Sequence, residues 1–447
     1  MLQEFPPTFI ARCLGFDESA EEFHFQWQEH RFPLKADQNL KITEGALIRF
    51  QFSQGKFVTE KVVYTPPAGL KANGDALRWR KLNQFPSRFH CLKARHHILR
   101  SIRNWFDRQG FLEVQTPARV KAPNPEAHFD LIQCDQGYLV TSPEFQMKRM
   151  LVGGFEKIYQ ISACYRGKEV GQWHNPEFTM LEWYRVGENW HRLCQDIQEI
   201  TQCLPGVWID SKQHKMLEGE WKLTTVNDLL QEFWQFEIRP TDQAGDLLEK
   251  LKENGHEDWI NQQRINGESF VVIFGRIWDE LEQKLGWERP CLVTDWPPQL
   301  ASLAQLTPSG LAERVECYVQ GMEIANGFGE LTDPNEQQKR FEIELTHRSQ
   351  VGKSDVGLDH QFLDALWEGM PPSCGMALGI ERLLIWLLDV PSIENVMAFT
   401  ESLIERVHWL VFCAGKTRIL FDGWRFVQIK CENKLFIKIC SDDGCAS

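Results

Sequence analysis

Three stretches of the chain carry residue types that could do chemistry on a phosphate and a charged small molecule. In residues 164–184 two runs of strand character flank a polar loop that holds Gly167, Gly171 and Pro176. That pattern predicts an antiparallel hairpin whose loop closes over a ligand. Arg166 stands where the first run leaves its apolar stretch, and a guanidinium there can grip an α-phosphate while a carboxylate attacks it. Along the second run the alternation puts Glu182 and Tyr184 on one face. In residues 321–331, Glu323 and Glu330 stand seven positions apart around Asn326, Gly327 and Gly329. Read as paired carboxylates flanking a Gly-rich turn, they suit Mg2+ on triphosphate oxygens, because Mg2+ takes few protein oxygens and the rest from phosphate and water. In residues 375–382, Gly375 and Gly379 remove side chains so that a flat base can lie on backbone. Arg382 opens an apolar helix over 383–388 and can stack on the base or reach a terminal phosphate. Each pattern alone also fits a plain structural role: solvated carboxylates, a surface arginine, a tight strand–helix turn. The chain has neither G-x-x-x-x-G-K-[ST] nor a G-x-G-x-x-G after a strand, so a nucleotide site here needs another architecture.

The elements that must position these residues can be read from periodicity. Ile98, Ile102, Trp105 and Phe106 recur at helical spacing, and Gly110 suits the stop. An extended run over 111–116 follows, ended by Pro117. This helix and strand can bury an apolar face against a second copy, giving a symmetric dimer. Strand runs at 137–141, 157–163, 177–183 and 315–319, often consecutive and mixed with helices, predict an α+β fold. Its sheet would be mostly antiparallel with flanking helices, not doubly wound and parallel. Residues 1–85 read as a small β-rich domain and linker, with candidate strands at 9–14, 23–28, 46–52 and 57–64. A five-stranded oligonucleotide-binding barrel and a plain sandwich-like cap both fit. Residues 403–447 hold four short β-like runs, at 407–412, 418–421, 425–429 and 435–439, and no function follows from them.

At 447 residues the chain is long enough for two or three domains and a large core. Its 43% hydrophobic and 25% charged residues are those of a folded globular protein. A net charge of −13 repels nucleic acid in bulk, so any RNA contact needs a local basic patch. No run is long and apolar enough to cross a membrane, and the N-terminus has no secretory pattern. The thirteen cysteines form no C-x-x-C pair and no zinc spacing, which favours reduced thiols and a cytoplasmic location.

Taken in order, the run Phe111–Pro117 after the long helix, residues 164–184, and the two-part stretch 321–331 with 375–382 resemble the three motifs of class II aminoacyl-tRNA synthetases. Residues 174–184 and 323–331 look like the lysyl subgroup, and the likeness spans residues 90–402. It implies a class II synthetase-like antiparallel sheet of six or seven strands, a homodimer, and bent ATP with Mg2+. Within the subgroup the chain is closer to the lysyl-tRNA synthetase-like ligases that attach (R)-β-lysine to elongation factor P. Thr141-Ser142-Pro143-Glu144-Phe145 looks like their T-S-P-E-Y, and Ala377 stands where lysyl-tRNA synthetases carry Gly. One methyl can reshape an amino-acid pocket by about 1 kcal/mol.

By this resemblance a catalytic domain spans 86–402, and ATP meets Arg166, Gly167, Lys168, Asn175, Glu323, Ile324, Gly379 and Arg382. The amino acid meets Ser142, Pro143, Glu144, Tyr184, Glu330 and Ala377. Mg2+ falls to Glu323 and Glu330, and catalysis to Arg166, Glu323 and Arg382. Two carboxylates, Glu144 and Glu330, suit a substrate with two ammonium groups, and their pocket should be wet when empty, since bare buried carboxylates are costly. The chain departs from the family pattern twice. Arg166-Gly167-Lys168 stands where the family has Arg-x-Glu, with Glu169 one place late. The ligases usually lack an N-terminal domain, which keeps a reduced lysyl-tRNA synthetase, with tRNA as acceptor, as an alternative. A non-catalytic binding paralogue is the other, and Lys168 is its support.

Overall fold

The computed structural model describes residues 5–27, 30–35, 42–66, 88–401, 425–431 and 434–440. They belong to two separate units, Met1–Leu403 and Ile404–Ser447. No described helix is long and apolar enough to cross a membrane, and Cys13, Cys91, Cys134, Cys164, Cys194, Cys203, Cys291, Cys317 and Cys374 are free thiols.

Five strands open the chain: β1 (Thr8–Asp17), β2 (Glu22–Trp27), β3 (His30–Lys35), β4 (Leu47–Ser53) and β5 (Lys56–Tyr64). They pair antiparallel in the order β3-β2-β1-β4-β5. Alternate residues bury Phe9, Ala11, Phe25, Phe32, Ile48 and Phe50 on one side, the expected period of a half-buried strand. The sequence expectation had four strands and missed β3, whose run contains Pro33. Proline lacks the N–H that a central strand donates, but an edge strand tolerates it, and β3 is an edge. Phe32 on β3 stacks on Phe57 on β5 with centroids 4.3 Å apart. The two edges therefore curl toward each other across an aromatic core, a half-barrel and not a flat cap.

A helix, α1 (Arg88–Arg108), carries Cys91, Ala94, Ile98, Ile102, Trp105 and Phe106 on its buried face. Each fully buried apolar side chain of this kind contributes about 1.5–3 kcal/mol. The helix ends at Gly110, whose φ of +76° costs a glycine little. After it come β6 (Leu112–Glu113), β7 (Arg119–Val120), β8 (Gln133–Cys134), β9 (Gly137–Leu139), α2 (Glu144–Val152), β10 (Lys157–Tyr165) and β11 (Glu177–Val186). A helical insertion follows: α3 (Trp190–Gln202), α4 (Ser211–Glu218), β12 (Lys222–Thr225), α5 (Val226–Trp234), α6 (Ala244–Glu253), α7 (Glu257–Gln262) and α8 (Phe270–Glu282). The unit closes with β13 (Cys291–Thr294), β14 (Arg314–Val319), β15 (Met322–Gly329), α9 (Pro334–Gln350), α10 (His360–Gly369), β16 (Ser373–Gly379), α11 (Ile380–Leu387) and α12 (Ile393–Val396).

The main sheet has eight strands, not six or seven, in the order β12-β13-β14-β15-β16-β11-β10-β6. Its interior pairs are antiparallel, and only the short outer strands β12 and β6 pair in parallel. Of the extended run expected over 111–116, only two residues join the sheet. The Gly-rich turn expected between Glu323 and Glu330 does not exist, because residues 322–329 are one continuous strand. Gly327 and Gly329 serve close approach there: a Cβ on Gly327 would lie 2.9 Å from Met376 Cε, and one on Gly329 2.1 Å from Glu313 Oε2. In the second unit, β17 (Arg425–Cys431) and β18 (Lys434–Cys440) form an antiparallel hairpin. The runs expected at 407–412 and 418–421 lie outside the described residues.

Candidate active site

One face of the main sheet floors a cavity of about 1280 Å3. From β11 it takes Phe178, Met180, Glu182 and Tyr184, alternate residues that one side of a strand must present together. The register sets Ala377 between Glu182 on β11 and Asn326 on β15. Helix α11 is buried along its length except at Arg382, which faces the cavity. Arg95 on α1 pairs with Glu381 at 2.8 Å, and Glu381 also accepts from Thr179 N. Those bonds lock α1, β11 and α11 together behind the cavity floor.

Carboxylates crowd one end. Glu144 and Glu330 both contact the ammonium of Lys148, at 2.7 and 2.5 Å, and Lys148 has no exposed surface. Burial alone would strip its proton, but the two carboxylates reverse that and hold it charged. Glu182 accepts from Ser142 Oγ at 2.8 Å and from the Tyr184 hydroxyl at 2.5 Å. Burial, aided by Glu144, still pushes Glu182 up to about 8 against those hydrogen bonds. Burial does the same to Glu330, also to about 8, with Lys148 opposing it. Three carboxylates thus share one lysine, and this end of the cavity is short of positive charge. Gly375 makes the arrangement fit: a Cβ there would lie 2.3 Å from the Tyr184 ring and 2.7 Å from Glu330 Oε1.

The other end is cationic. The Arg166 guanidinium lies 3.9 Å from the Phe129 ring centroid and 5.1 Å from that of Phe178. Its Nε is buried and has no hydrogen-bond partner among the described residues. Arg382 donates to the Glu323 carbonyl at 2.7 Å, and its other terminal nitrogen meets His174 Nε2 at 2.6 Å. Burial, Arg382 and Arg166 lower His174 to about 4, so the ring is neutral and accepts from Arg382. A guanidinium whose Nε has no partner among the described residues, with a second guanidinium lining the same cavity, fits an anion such as a phosphate chain.

The pattern of tRNA synthetases class II (D, K and N) matches residues 76–402. The chain belongs to that family. The elongation factor P–(R)-β-lysine ligase of Erwinia tasmaniensis is 34% identical over 325 residues, which is 69% of this chain and 94% of that protein. The ligase of the same name from Vibrio atlanticus is 35% identical over 321 residues, again 69% and 94%. One from Haemophilus influenzae is 34% identical over 320 residues with the same coverage. The chain is an ATP-dependent amino-acid ligase of the class II synthetase type.

Within this class II frame the expected residues divide. The cavity gathers Ser142, Glu144, Tyr184, Glu330 and Ala377 at one end and Arg166, Asn175, Glu323, Ile324, Gly379 and Arg382 at the other. Pro143 does not line it; it precedes α2 and its carbonyl accepts from Met147 N. Gly167 is tied by its N–H to the Asp130 carbonyl at 2.6 Å. Lys168 is exposed, with φ +61°, and its ammonium lies 3.7 Å from Asp130 outside the cavity. Glu169, one place on, lines the cavity instead. The left-handed residue turns the loop by one position, so the one feature that favoured a non-catalytic paralogue carries no weight. Asn175 spends its side chain on the Glu177 carbonyl and the Glu401 N–H, shaping the loop. Gly375 serves Tyr184 and Glu330 and not a base, whereas a Cβ on Gly379 would meet only Arg382 at 3.9 Å.

The paired-metal expectation for Glu323 and Glu330 fails on geometry. At about 3.3 Å per strand residue their Cα atoms stand roughly 20 Å apart, and Glu330 is committed to Lys148. Glu323 keeps different company, raising Glu282, which burial first drives up to about 7. Glu144 and Glu330 are also not a bare carboxylate pair, since the Lys148 ammonium lies between them. Lys148 was missed because a single lysine in an apolar helix reads as a solvated charge. His174 opens the stretch 174–184 without a role legible from sequence, and Glu126, on the cavity wall, has no motif to mark it.

Proposed function

We propose that the protein activates a lysine-type amino acid with two ammonium groups, (R)-β-lysine, as its adenylate and transfers it to a lysine of elongation factor P. The observation that carries the reading is the polarity of one cavity. A carboxylate-rich end lies across the same sheet from a guanidinium with an unbonded nitrogen. The names of the similar ligases support the choice of substrate and acceptor.

Ser142, Glu144, Tyr184, Glu330 and Ala377 would bind the amino acid, with Glu182 and Lys148 setting the charge count. Arg166 and Arg382 would bind the ATP phosphates beside Glu323, Ile324 and Gly379. The substrate carboxylate then attacks the α-phosphorus, Arg166 faces the charge that develops, and pyrophosphate leaves. Positioning and electrostatics carry this step without a protein nucleophile. Among the described residues no group of three or more ligands could hold a metal alone. Mg2+ takes most of its oxygens from phosphate and water, and Glu323 would be its protein ligand. When bound, it would neutralise charge on the triphosphate.

We read residues 86–402 as the catalytic domain, residues 1–85 as a separate β module and 403–447 as an extension of unassigned role. A homodimer through α1 and β6 is in keeping with the half-exposed Leu112 on the outer strand. Free thiols favour a reducing compartment, the cytoplasm. A second reading, lysyl-tRNA synthetase, is favoured by the curled five-stranded N-terminal sheet.

The test is ATP–pyrophosphate exchange by the purified chain with (R)-β-lysine and with α-lysine, followed by transfer to elongation factor P or to tRNA. Greater exchange with the β isomer and labelled elongation factor P are expected. Preference for α-lysine with labelled tRNA would replace the ligase reading by the synthetase one.

A further inference from the structure

The cavity wall carries a carboxylate, Glu126, to which neither the ATP nor the amino-acid reading assigns a role. Glu126 sits on the loop joining β7 to β8, half-buried in the cavity wall. Among the described residues its side chain takes one hydrogen bond, from Asn124 Nδ2 at 2.8 Å. Its backbone is clamped: the Glu126 carbonyl accepts from Arg348 Nη1 at 2.8 Å, and the next N–H, of Ala127, donates to Glu344 at 3.0 Å. Both clamps come from α9, so the carboxylate is held at a fixed place on the wall.

The charges that face it come from four elements: Glu144 at the start of α2, Arg166 after β10, Glu344 on α9 and Arg314 on β14. Glu144 belongs to the amino-acid end and Arg166 to the phosphate end. Glu126 lines the same cavity as Glu144 and Arg166 and its charge couples to both, so it is placed to face the region where the two substrates would join and where the acyl carbon of an adenylate would lie. That carbon is the one an incoming amine must attack.

We propose that Glu126 accepts the proton of the acceptor ammonium in the transfer half-reaction, a role that rests on the adenylate-forming reading above. An aliphatic ammonium has no lone pair to attack with. Glu126, ionised, takes one proton from it. The freed amine then forms the N–C bond to the acyl carbon, and the C–O bond to the phosphate breaks with its electron pair going to AMP. The second proton of the nitrogen passes to the departing phosphate oxygen, which closes the balance. Burial first, and then Glu144, push Glu126 up to about 7, with Arg166 pulling it down. A base with that value works near neutral pH, where it is both ionised and strong enough to take a proton. Transfer should rise with pH and level off above about 7.

The two half-reactions separate the possibilities. Exchange would be measured with (R)-β-lysine for the unaltered chain, Glu126→Gln and Glu126→Asp. Single-turnover transfer from the preformed adenylate would be followed to two nucleophiles, Nα-acetyl-lysinamide and hydroxylamine. The first is protonated at neutral pH and needs a base; the second is already a free amine. In Glu126→Gln, transfer to the lysinamide should fall at least about 100-fold more than either exchange or transfer to hydroxylamine. The inflection near pH 7 should vanish in Glu126→Gln and survive in Glu126→Asp at reduced rate. Equal loss in exchange and both transfers would overturn the proposal and place Glu126 in substrate binding or folding. Unreduced transfer to the lysinamide would overturn it as well. Absence of exchange in the unaltered chain would overturn the activation on which it rests.

Discussion

The two ends of the cavity are built in opposite ways. The carboxylate-rich end is assembled on regular elements: Glu182 and Tyr184 on β11, Ala377 and Gly375 on β16, Glu330 just past β15, and Glu144 at the start of α2. Its carboxylates are held in place by Lys148, Ser142 and Tyr184. The cationic end takes Glu323 and Ile324 from β15 and Gly379 from β16, but its two guanidiniums stand on a loop and at the one half-buried position of α11. Arg166 is held there by two ring faces and by no hydrogen bond to its Nε. Charge buried in a sheet must carry its own counter-charge, because desolvation would otherwise expel it. Charge on a loop can wait for the ligand to supply its partner. The first end should therefore contribute stability and the second activity.

The largest effect that would break this contrast is expected at Lys148. Lys148→Met leaves Glu144 and Glu330 facing each other without a cation, and removing one partner of a buried pair costs about 3–5 kcal/mol. Chemical denaturation above pH 8, where Glu330 is ionised, should show a loss of that size. A loss under about 1 kcal/mol would mean that the carboxylates simply take up protons, and the contrast would fail. Arg166→Ala should do the reverse, with ATP–pyrophosphate exchange falling about 100- to 1000-fold, as when one preorganised charge-stabilising donor is removed. Its unfolding midpoint should move far less than that of Lys148→Met.

Titration sharpens the contrast. Glu182 and Glu330 are raised from an ordinary 4.5 to about 8. Between those values the folded protein holds protons that the unfolded chain has released, so the contribution to stability is full below about 4.5 and is lost as pH rises through 8. A cationic amino acid favours the ionised carboxyls, so its binding should release protons. Affinity should then strengthen from pH 6 to 8 by up to about tenfold per unit for each proton released. Calorimetry in buffers of different ionisation enthalpy measures that release directly. Binding without proton release would show that the carboxyls are already ionised in the empty site.

The same division explains what could be read before the structure. Strand alternation was enough to pair Glu182 with Tyr184, because a period of two fixes which side chains share a face. The paired motif residues Arg166, Glu323 and Arg382 were legible because their types and order are specific. Lys148 was not: with Glu144 four residues before it, it reads as an ordinary exposed helix pair, and nothing in a local window shows that both turn inward toward Glu330, 182 residues on. The turn expected between Glu323 and Glu330 failed because glycines signal either a bend or a close approach. Here Met376 and Glu313 needed the room. β3 was lost to Pro33, which rules out a central strand but not an edge.

Smaller effects belong to the loop. Glu169→Ala removes a carboxylate from the cavity wall and should raise the KM for ATP about tenfold, the equivalent of roughly 1.4 kcal/mol. Lys168→Ala should leave that KM within about twofold, because its ammonium lies outside. The opposite ranking would restore Lys168 as the residue that meets the nucleotide.

The smallest effect tests why the loop turns at all. Lys168 holds a φ of +61°, a left-handed conformation that costs an L-residue with a Cβ roughly 1–2 kcal/mol. Glycine adopts it freely but gives up more freedom on folding, by about 0.5–1 kcal/mol relative to alanine. The exposed pair with Asp130 at 3.7 Å adds little on the folded side. Lys168→Gly should thus be neutral to stabilising by up to about 1 kcal/mol, with Glu169 still facing the cavity and the KM for ATP unchanged. A clear destabilisation, with a rise in that KM, would mean that the Asp130 contact and not the backbone turn sets the loop. Glu169 would then owe its position to Lys168's charge.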